Sequence, residues 1–274
     1  TGGTYSVIAT LAPDTVSYSD IGLGSQSNFV YRLAATNAIT GSSTDFAAAQ
    51  ISAKTVLRPL TVLGILDLDA NGKINPATGA VWKNGDTYRF AFVSIATVDA
   101  LSTNIADYNA FIQGVADSSA AFPNLGEVTW KAIGSTTTVD ARDNTATNPN
   151  TNGFGEAIFL LNGSTVIAIG YADLWDGNIA AQLRITEENT IRATGTELWG
   201  NWTGVWTGTG DNGTGSSPLG TNANVRLGLA RAETHFWESR STGVGTANLP
   251  MYGLSQPLTL YQEAPPAGVF LILR

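Results

Sequence analysis

One segment of the chain has the spacing of oxygen ligands found in calcium-binding loops. In LDLDANGKINPAT, residues 66–78, the ligand positions of such a loop hold Asp67, Asp69, Asn71, the carbonyl of Lys73 and Asn75. Thr78 stands where the bidentate glutamate belongs, and no flanking helix is predicted. Asn-Gly is also a common turn sequence. We therefore expect no cofactor and favour a hairpin turn, with calcium as the alternative.

A second group of ligand-type side chains surrounds the only histidine. In ARAETHFWESR, His235 lies between Glu233 and Glu238. One histidine cannot form a zinc site unless carboxylates from elsewhere converge on it. A strand would place Glu233 and His235 on one face, so a ligand pair stays open. We favour a partly exposed polar face beside the two aromatic residues of this segment.

The motif ADLWDG offers two carboxylates, Asp173 and Asp176, of the kind that cleave glycosidic bonds in pairs. The sequence gives no distance between them. We favour a structural turn held by Trp175. No catalytic residue is assigned, and we expect a protein that is not an enzyme.

Tryptophan is concentrated in one part of the chain. Five of the seven tryptophans lie between residues 175 and 237, which predicts a second hydrophobic core. An exposed aromatic platform for a glycan or another ligand is the alternative. Its members would be Trp199, Trp202, Trp206 and Trp237.

Charge and composition exclude several classes of protein. The 274 residues include 14 Lys and Arg against 22 Asp and Glu, a net charge of −8, and the cations are scattered, which argues against nucleic-acid partners. The absence of Cys excludes disulfides, thiolate metal sites and cysteine nucleophiles. No apolar run reaches the roughly 18 residues of a membrane span. Low charge and abundant Gly, Thr and Asn are typical of an exported protein.

Short alternating runs predict a chain that is mainly β. Residues 1–56 alternate with period two between turn signals, as antiparallel strands do. Two further apolar strands are predicted at residues 60–68 and 88–95. The second is nearly continuous in its apolar character, as in a buried central strand. From 125 onward the pattern returns to short strands and long loops.

One stretch has a clear helical pattern, at about residues 104–119. Its apolar side chains recur at helical spacing and are Ile105, Tyr108, Phe111, Ile112 and Val115. Asn104 is suited to cap the amino terminus, where Asp107 also favours the helix dipole. The predicted fold class is therefore mainly β, an all-β part followed by an α+β part with one main helix.

The first part of the chain resembles half of a known module. GGTYSVIATLAPDTVSYSDIGLGSQSNFVYRLAATN, within residues 1–56, is similar to the second half of a fibronectin type III domain. Phe29 stands where that family has a corner tyrosine, so the hydroxyl bond of the corner is absent. The resemblance implies a partial β-sandwich without its earlier strands. Its unpaired edge and bare apolar face would need strands from another chain.

Residues 85–262 carry an ordered set of motifs that resembles a second family, the C-type-lectin-like, endostatin-related domains of bacterial surface proteins. The matching positions are 130–132, 162–163, 173–177 and 205–209. The cysteines that often clamp the long loop of this family are missing here. So are the Glu-Pro-Asn and Trp-Asn-Asp motifs of calcium-dependent sugar lectins in the wider superfamily.

The C-terminal sequence YGLSQPLTLYQEAPPAGVFLILR resembles the end of exported bacterial proteins with a PEP-type sorting signal. Glu-Ala-Pro-Pro stands where that family has Pro-Glu-Pro, and VFLIL is too short to span a bilayer. We interpret residues 263–274 as an apolar tail that is either a donor strand or a trimmed signal.

These observations predict four segments and an extracellular or cell-surface bacterial protein. The segments are a fibronectin-like part at 1–56, a β linker or hairpin at 57–84, a C-type-lectin-like domain at 85–262 and the tail. We expect a non-enzymatic structural protein that binds copies of itself or another surface protein, with filament formation by strand complementation. The residues predicted for that assembly are Tyr5, Val7, Val269, Phe270, Leu271, Ile272 and Leu273. The alternative is an adhesion module that binds a glycan or another ligand.

Overall fold

The computed structural model of the chain describes residues 6–10, 12, 28–33, 50–54, 61–192, 204–261 and 271–273. These residues form mainly strands with one main helix, so the predicted fold class is confirmed. The chain divides into two compact units. The first unit joins Thr1–Leu60 to Tyr261–Arg274, and the second is Thr61–Leu260. Most of the predicted segment 57–84 therefore belongs to the second unit.

The strands and helices have the following bounds. The strands are β1 (Ser6–Ala9), β2 (Asn28–Leu33), β3 (Gln50–Lys54), β4 (Ile74–Asn75), β5 (Ala80–Val81), β6 (Thr87–Val93), β7 (Trp130–Ala132), β8 (Ala157–Leu160), β9 (Val166–Ala168), β10 (Gly204–Trp206), β11 (Val225–Leu229), β12 (Ser241–Gly243), β13 (Tyr252–Ser255), β14 (Leu258–Thr259) and β15 (Leu271–Leu273). The α-helices are α1 (Ile105–Asp117), α2 (Ala141–Asn144), α3 (Pro149–Asn152) and α4 (Tyr171–Leu174). Short 3₁₀ turns cover Asn71–Lys73, Leu125–Glu127 and His235–Trp237.

The first unit contains a four-stranded sheet in the order β1-β15-β2-β3. Strands β2 and β3 are antiparallel, with Tyr31 opposite Ile51. Strand β15 runs parallel to both β1 and β2. The sequence predicted only antiparallel strands here, because alternation along 1–56 carries no information about a strand that arrives from residue 271.

The second unit is built on a six-stranded sheet in which β6 is central. The order is β7-β13-β6-β8-β9, and β14 also pairs with β6. Side chains of β6 alternate between two cores: Tyr88, Phe90 and Phe92 lie in one, and Ala91 and Val93 in the other. Because both faces of the sheet are covered, β6 reads as an almost continuous apolar run.

Arg89 is the exception in that apolar strand. It is 2% exposed and forms an ion pair with Glu156, with Nε 3.1 Å from Oε2. Its other nitrogens donate to the carbonyls of Thr145 and Ser255 at 2.9 and 3.0 Å and to the Tyr171 hydroxyl at 2.8 Å. These bonds satisfy a charge that would otherwise be costly to bury.

Helix α1 covers one face of this sheet. Asn104 caps it, since the Asn104 side chain accepts a hydrogen bond from the Ala106 amide at 3.1 Å. Tyr108, Ile112 and Val115 are buried against the core, as the predicted stripe required. The helix prediction is therefore confirmed.

The predicted strand at Leu60–68 is wrong for its described residues. Residues 61–68 form bends and turns, and Gly64 has a φ of 70°, which does not continue a strand. Leu66 and Leu68 are nevertheless buried, and the Asp67 amide donates to the Gly163 carbonyl at 2.9 Å. The apolar pattern at these residues therefore indicated that the segment is buried, although the segment is a loop and not a strand.

Two smaller sheets complete the second unit. Strands β10, β11 and β12 are antiparallel, with Trp206 opposite Leu227. Strands β4 and β5 form a hairpin around the loop that has the calcium-like spacing. The segment at 204–229 therefore contributes β structure to a core rather than a free loop.

Candidate functional site

The predicted aromatic platform does not exist in the part of the chain that the structure describes. Trp206 and Trp237 are both 0% exposed, so neither ring can stack on a ligand, and the prediction is wrong for these two residues. Trp206 donates from Nε1 to the Ala247 carbonyl at 3.1 Å. Trp199 and Trp202 lie outside the described residues. The favoured prediction of a second core holds for Trp237, which packs among the buried residues of that core.

Trp237 packs against Trp175, and three motif-bearing loops meet around this pair of rings. The ring centroid of Trp237 lies 5.9 Å from that of Trp175 and 5.8 Å from that of Tyr252, whose hydroxyl donates to the Trp237 carbonyl at 3.0 Å. Gly213 packs against the Trp175 ring so closely that a Cβ there would lie 2.7 Å from it. The loops around residues 175, 213 and 237 therefore hold one another by aromatic packing, without disulfides.

Asp173 and Asp176 stabilise turns. The Asp173 carboxylate accepts from the Ile169 amide at 2.8 Å, and the Asp176 carboxylate accepts from the Asn178 amide at 2.8 Å. Trp175, between them, is 6% exposed and donates to the Thr147 hydroxyl at 2.9 Å. This arrangement agrees with the favoured interpretation of ADLWDG as a turn held by a buried tryptophan.

Glu238 is buried in the second core without a hydrogen-bond partner for either carboxyl oxygen among the described residues. Its exposure is 0%, so the predicted partly exposed polar face is wrong for this residue. Burial, reinforced by the negative charges of Asp211 and Asp176, raises the pKa of Glu238 to about 10. The carboxyl group is therefore neutral near pH 7.

His235 is exposed and does not take part in a ligand cluster. The segment forms a 3₁₀ turn rather than a strand, and the His235 ring lies 4.2 Å from that of Phe236. Glu233 is exposed as well. Within the described ranges, no group of three or more His, Asp or Glu side chains is placed to hold a metal ion.

The loop with calcium-like spacing uses its oxygens for its own turns. Asp67 Oδ1 accepts from the Asp69 amide at 2.9 Å, and Asp69 lies 3.6 Å from Lys73 Nζ. Asn71 donates to the Ser164 carbonyl at 3.0 Å. Asn75 is buried, accepts from the Ala77 amide at 3.0 Å and donates to Asp86. These bonds are those of the hairpin turn that we favoured, and calcium binding stays the untested alternative.

Part of the predicted assembly segment forms β15, inside a sheet of the same chain. Leu271 lies opposite Ser6 on one side and opposite Tyr31 on the other, and Ile272 lies opposite Val7 and Arg32. Val7 is 51% exposed. Tyr5, Val269 and Phe270 lie outside the described residues. The sheet thus has a position for β15 between β1 and β2. The functional question is whether this strand comes from the same chain or from another copy of it.

The second unit also has a groove of about 340 Å³ that the sequence did not reveal. Its lining residues come from three separate stretches, and they are Leu160, Asn162, Thr165, Ala181, Gln182, Arg184, Ile185, Ile191 and Glu233. Asn162 is engaged in its own turn, because its side chain accepts from the Thr165 amide at 3.1 Å and donates to the Thr165 hydroxyl at 2.8 Å. The sequence pattern indicates Glu233 only as a candidate zinc ligand. No local pattern indicates that Gln182 or Arg184 lines a groove.

Comparison with known proteins gives no match to a protein-family model or to a curated protein. Among the described residues, no helix combines the length and apolar character needed to cross a bilayer. The candidate sites therefore rest on geometry: the place of β15 in the first unit, and the groove in the second.

Proposed function

We propose that this chain is an extracellular, non-enzymatic surface protein that acts through protein–protein contacts and associates with copies of itself by strand complementation. The position of β15 between β1 and β2 carries the proposal. Without β15, both neighbouring strands would have an unpaired edge. Strand β15 is separated from them in sequence by the whole second unit.

Backbone hydrogen bonds are the same whichever copy supplies the strand. A β15 segment from another copy offers the same amides and carbonyls to β1 and β2, so exchange costs no change in the pairing. Donation in one direction, from each copy to the next, gives an open chain of subunits unless the rotation closes a ring. We therefore expect filaments or rings of this protein.

The two resemblances support a surface location for the whole chain. We infer a fibronectin-like first unit and a C-type-lectin-like second unit, in which the motif loops around Trp175 and Trp237 pack together. The second resemblance is to domains of bacterial surface proteins. We also propose that the chain does no chemistry.

Cysteine cross-linking distinguishes donation within a chain from donation between chains. The chain has no Cys, so the double variant Val7→Cys with Ile272→Cys introduces the only two thiols, at positions that face each other in the sheet. A short bis-maleimide then links them. We expect a ladder of covalent dimers and larger species on a denaturing gel at micromolar protein, and fibres or rings by electron microscopy.

The matched control is Ile74→Cys with Val81→Cys, opposite each other in the local hairpin of β4 and β5. This pair must link within one chain. If the 7/272 pair also gives only monomers at every concentration at which the protein is soluble, self-association through β15 is wrong.

A ligand-binding module is the second candidate, and the groove in the second unit is the observation that favours it. With Trp206 and Trp237 buried, the groove replaces the aromatic platform as the place where a ligand would bind.

A further inference from the structure

The groove has walls that are fixed by backbone hydrogen bonds. The Ala180 amide donates to the Ile167 carbonyl at 2.8 Å, which attaches the segment at 180–185 to β9. The Ile179 amide donates to the Glu233 carbonyl at 2.7 Å, and this bond positions the loop that carries Glu233. Such a framework places side chains without a ligand, which lowers the entropic cost of binding.

Three polar side chains in the groove have no partner within the described part of the chain: Gln182, Arg184 and Glu233. The guanidinium of Arg184 suits a carboxylate, which it binds with two parallel hydrogen bonds. The carboxylate of Glu233 suits an ammonium group. Arg184 and Glu233 form no ion pair with each other, so both charges stay available to a ligand in this part of the molecule.

The remaining lining is largely aliphatic. Leu160 is buried at the base, Ala181 and Ile185 are half-buried, and Ile191 is 57% exposed. Ile185 and Ile191 are held together by a β-bridge. A volume of about 340 Å³ is near the lower end of the roughly 300–1,000 Å³ of small-molecule sites. The groove therefore fits a small ligand with an aliphatic body.

We propose that the groove binds a small zwitterion with an aliphatic side chain, of the class of leucine or isoleucine, with its carboxylate on Arg184 and its ammonium group on Glu233. This inference rests on the second proposed function, ligand binding. An acidic polysaccharide fits less well, since the net charge of −8 repels a polyanion and Glu233 opposes its carboxylates. One cation and one anion in the groove match a ligand of net charge zero.

Titration calorimetry with the full chain and three probes tests the proposal. L-leucine carries both charges, leucinamide lacks the carboxylate, and N-acetyl-leucine lacks the ammonium group. We expect leucine to bind roughly 10-fold more tightly than either derivative, because each derivative loses a hydrogen-bonded charge. We also expect Arg184→Gln to remove the preference for leucine over leucinamide, and Glu233→Gln to remove the preference over N-acetyl-leucine.

Charge-matched controls are Lys83→Gln and Glu127→Gln, both exposed and outside the groove, and neither substitution should change the preferences. Absence of leucine binding at millimolar concentration overturns the proposed ligand class. A glycan array then tests the second proposed function, which is ligand binding in the groove. If a glycan binds and its binding is lost in Arg184→Gln, the groove is a ligand site whose ligand is that glycan and not the zwitterion. If no glycan on the array binds, the groove is not a binding site. Self-association through β15 is unaffected by either outcome.

Discussion

The carboxyl group of Glu238 is fully buried, and neither of its oxygens has a hydrogen-bond partner among the described residues. The charged form is disfavoured by burial and by the nearby negative charges of Asp211 and Asp176. Burial likewise raises the pKa of the neighbouring Tyr252 well above its ordinary value. Stability of the second core therefore depends on Glu238 keeping its proton.

The pH dependence of stability follows from the two pKa values of Glu238. Below its ordinary pKa of 4.5 the group is protonated in both states, and its contribution to stability is fully present. Between that value and about 10, the folded chain holds a proton that the unfolded chain has released, so the free energy of unfolding falls as pH rises. The slope is at most about 1.4 kcal/mol per pH unit.

We expect Glu238→Gln to abolish this slope, since the amide has nearly the same shape and does not ionise. Urea unfolding of both proteins at about pH 5 and about pH 8 measures the effect, and the variant should gain on the parent at the higher pH. Glu127→Gln, on the surface, should follow the parent protein at both values. Parallel pH profiles for Glu238→Gln and the parent would show that Glu238 is not neutral in the folded state.

At the scale of elements, two glycines show how differently β11 and α1 are packed. A Cβ on Gly228 in β11 would overlap with the Trp237 carbonyl oxygen and lie 2.7 Å from the Glu238 Cα. Around Gly114 in α1, no atom outside the helix lies within 4 Å of such a Cβ. The strand needs glycine for the close approach of the 3₁₀ turn, whereas the helix does not.

We expect opposite effects from the same substitution at these two positions. Gly228→Ala should lower the free energy of unfolding by roughly 1–3 kcal/mol, because the backbone must move to admit the methyl group. Gly114→Ala should raise it by roughly 0.5–1 kcal/mol, because alanine restricts the unfolded chain and favours the helix. Denaturant midpoints of the two variants test both signs. A neutral Gly228→Ala would contradict the close approach of β11 to the Trp237 turn.

Elements whose signal is local could be predicted from the sequence. The stripe and cap of α1 and the continuous apolar run of β6 are such signals, and both elements lie where their patterns indicated. Burial of Leu66 and Leu68 was predicted without their loop conformation, because an apolar run does not distinguish a strand from a loop over a core. The other features depend on residues that are distant in sequence and close together in the fold, so no local pattern could predict them. Nothing near Glu238 or Arg184 in sequence indicates a buried acid or a groove.

At the scale of the molecule, the first unit is interrupted in sequence by the second. Residues Thr61–Leu260 form the second unit, and β15 returns to the first unit after them. The described strands of the first sheet can therefore come together only after β15 has been made, and contacts so distant in sequence form slowly. During that interval the sites beside β1 and β2 are open to a strand from another copy, which favours exchange between chains.

The parallel pairing of β1 with β15 also sets the mechanical behaviour of a single chain. Tension that pulls Ser6 and Leu273 apart shears the pair along the strand direction, so its hydrogen bonds must break together rather than one after another. Force passes from β1 to β15 and, once that pair has separated, from β2 to β15, so the second unit carries none of it until β15 has left both neighbours. Optical-tweezer pulling through the chain ends should detach β15 from β1 and β2 before the second unit unfolds. Handles at residues 61 and 260 should skip this first event, and a second unit that unfolds before the pair ruptures would contradict the force path. In a fibre joined by donated strands the load takes another path, because residues 61–260 then link each sheet to the strand held by the next copy, so the second unit of every copy would bear the tension.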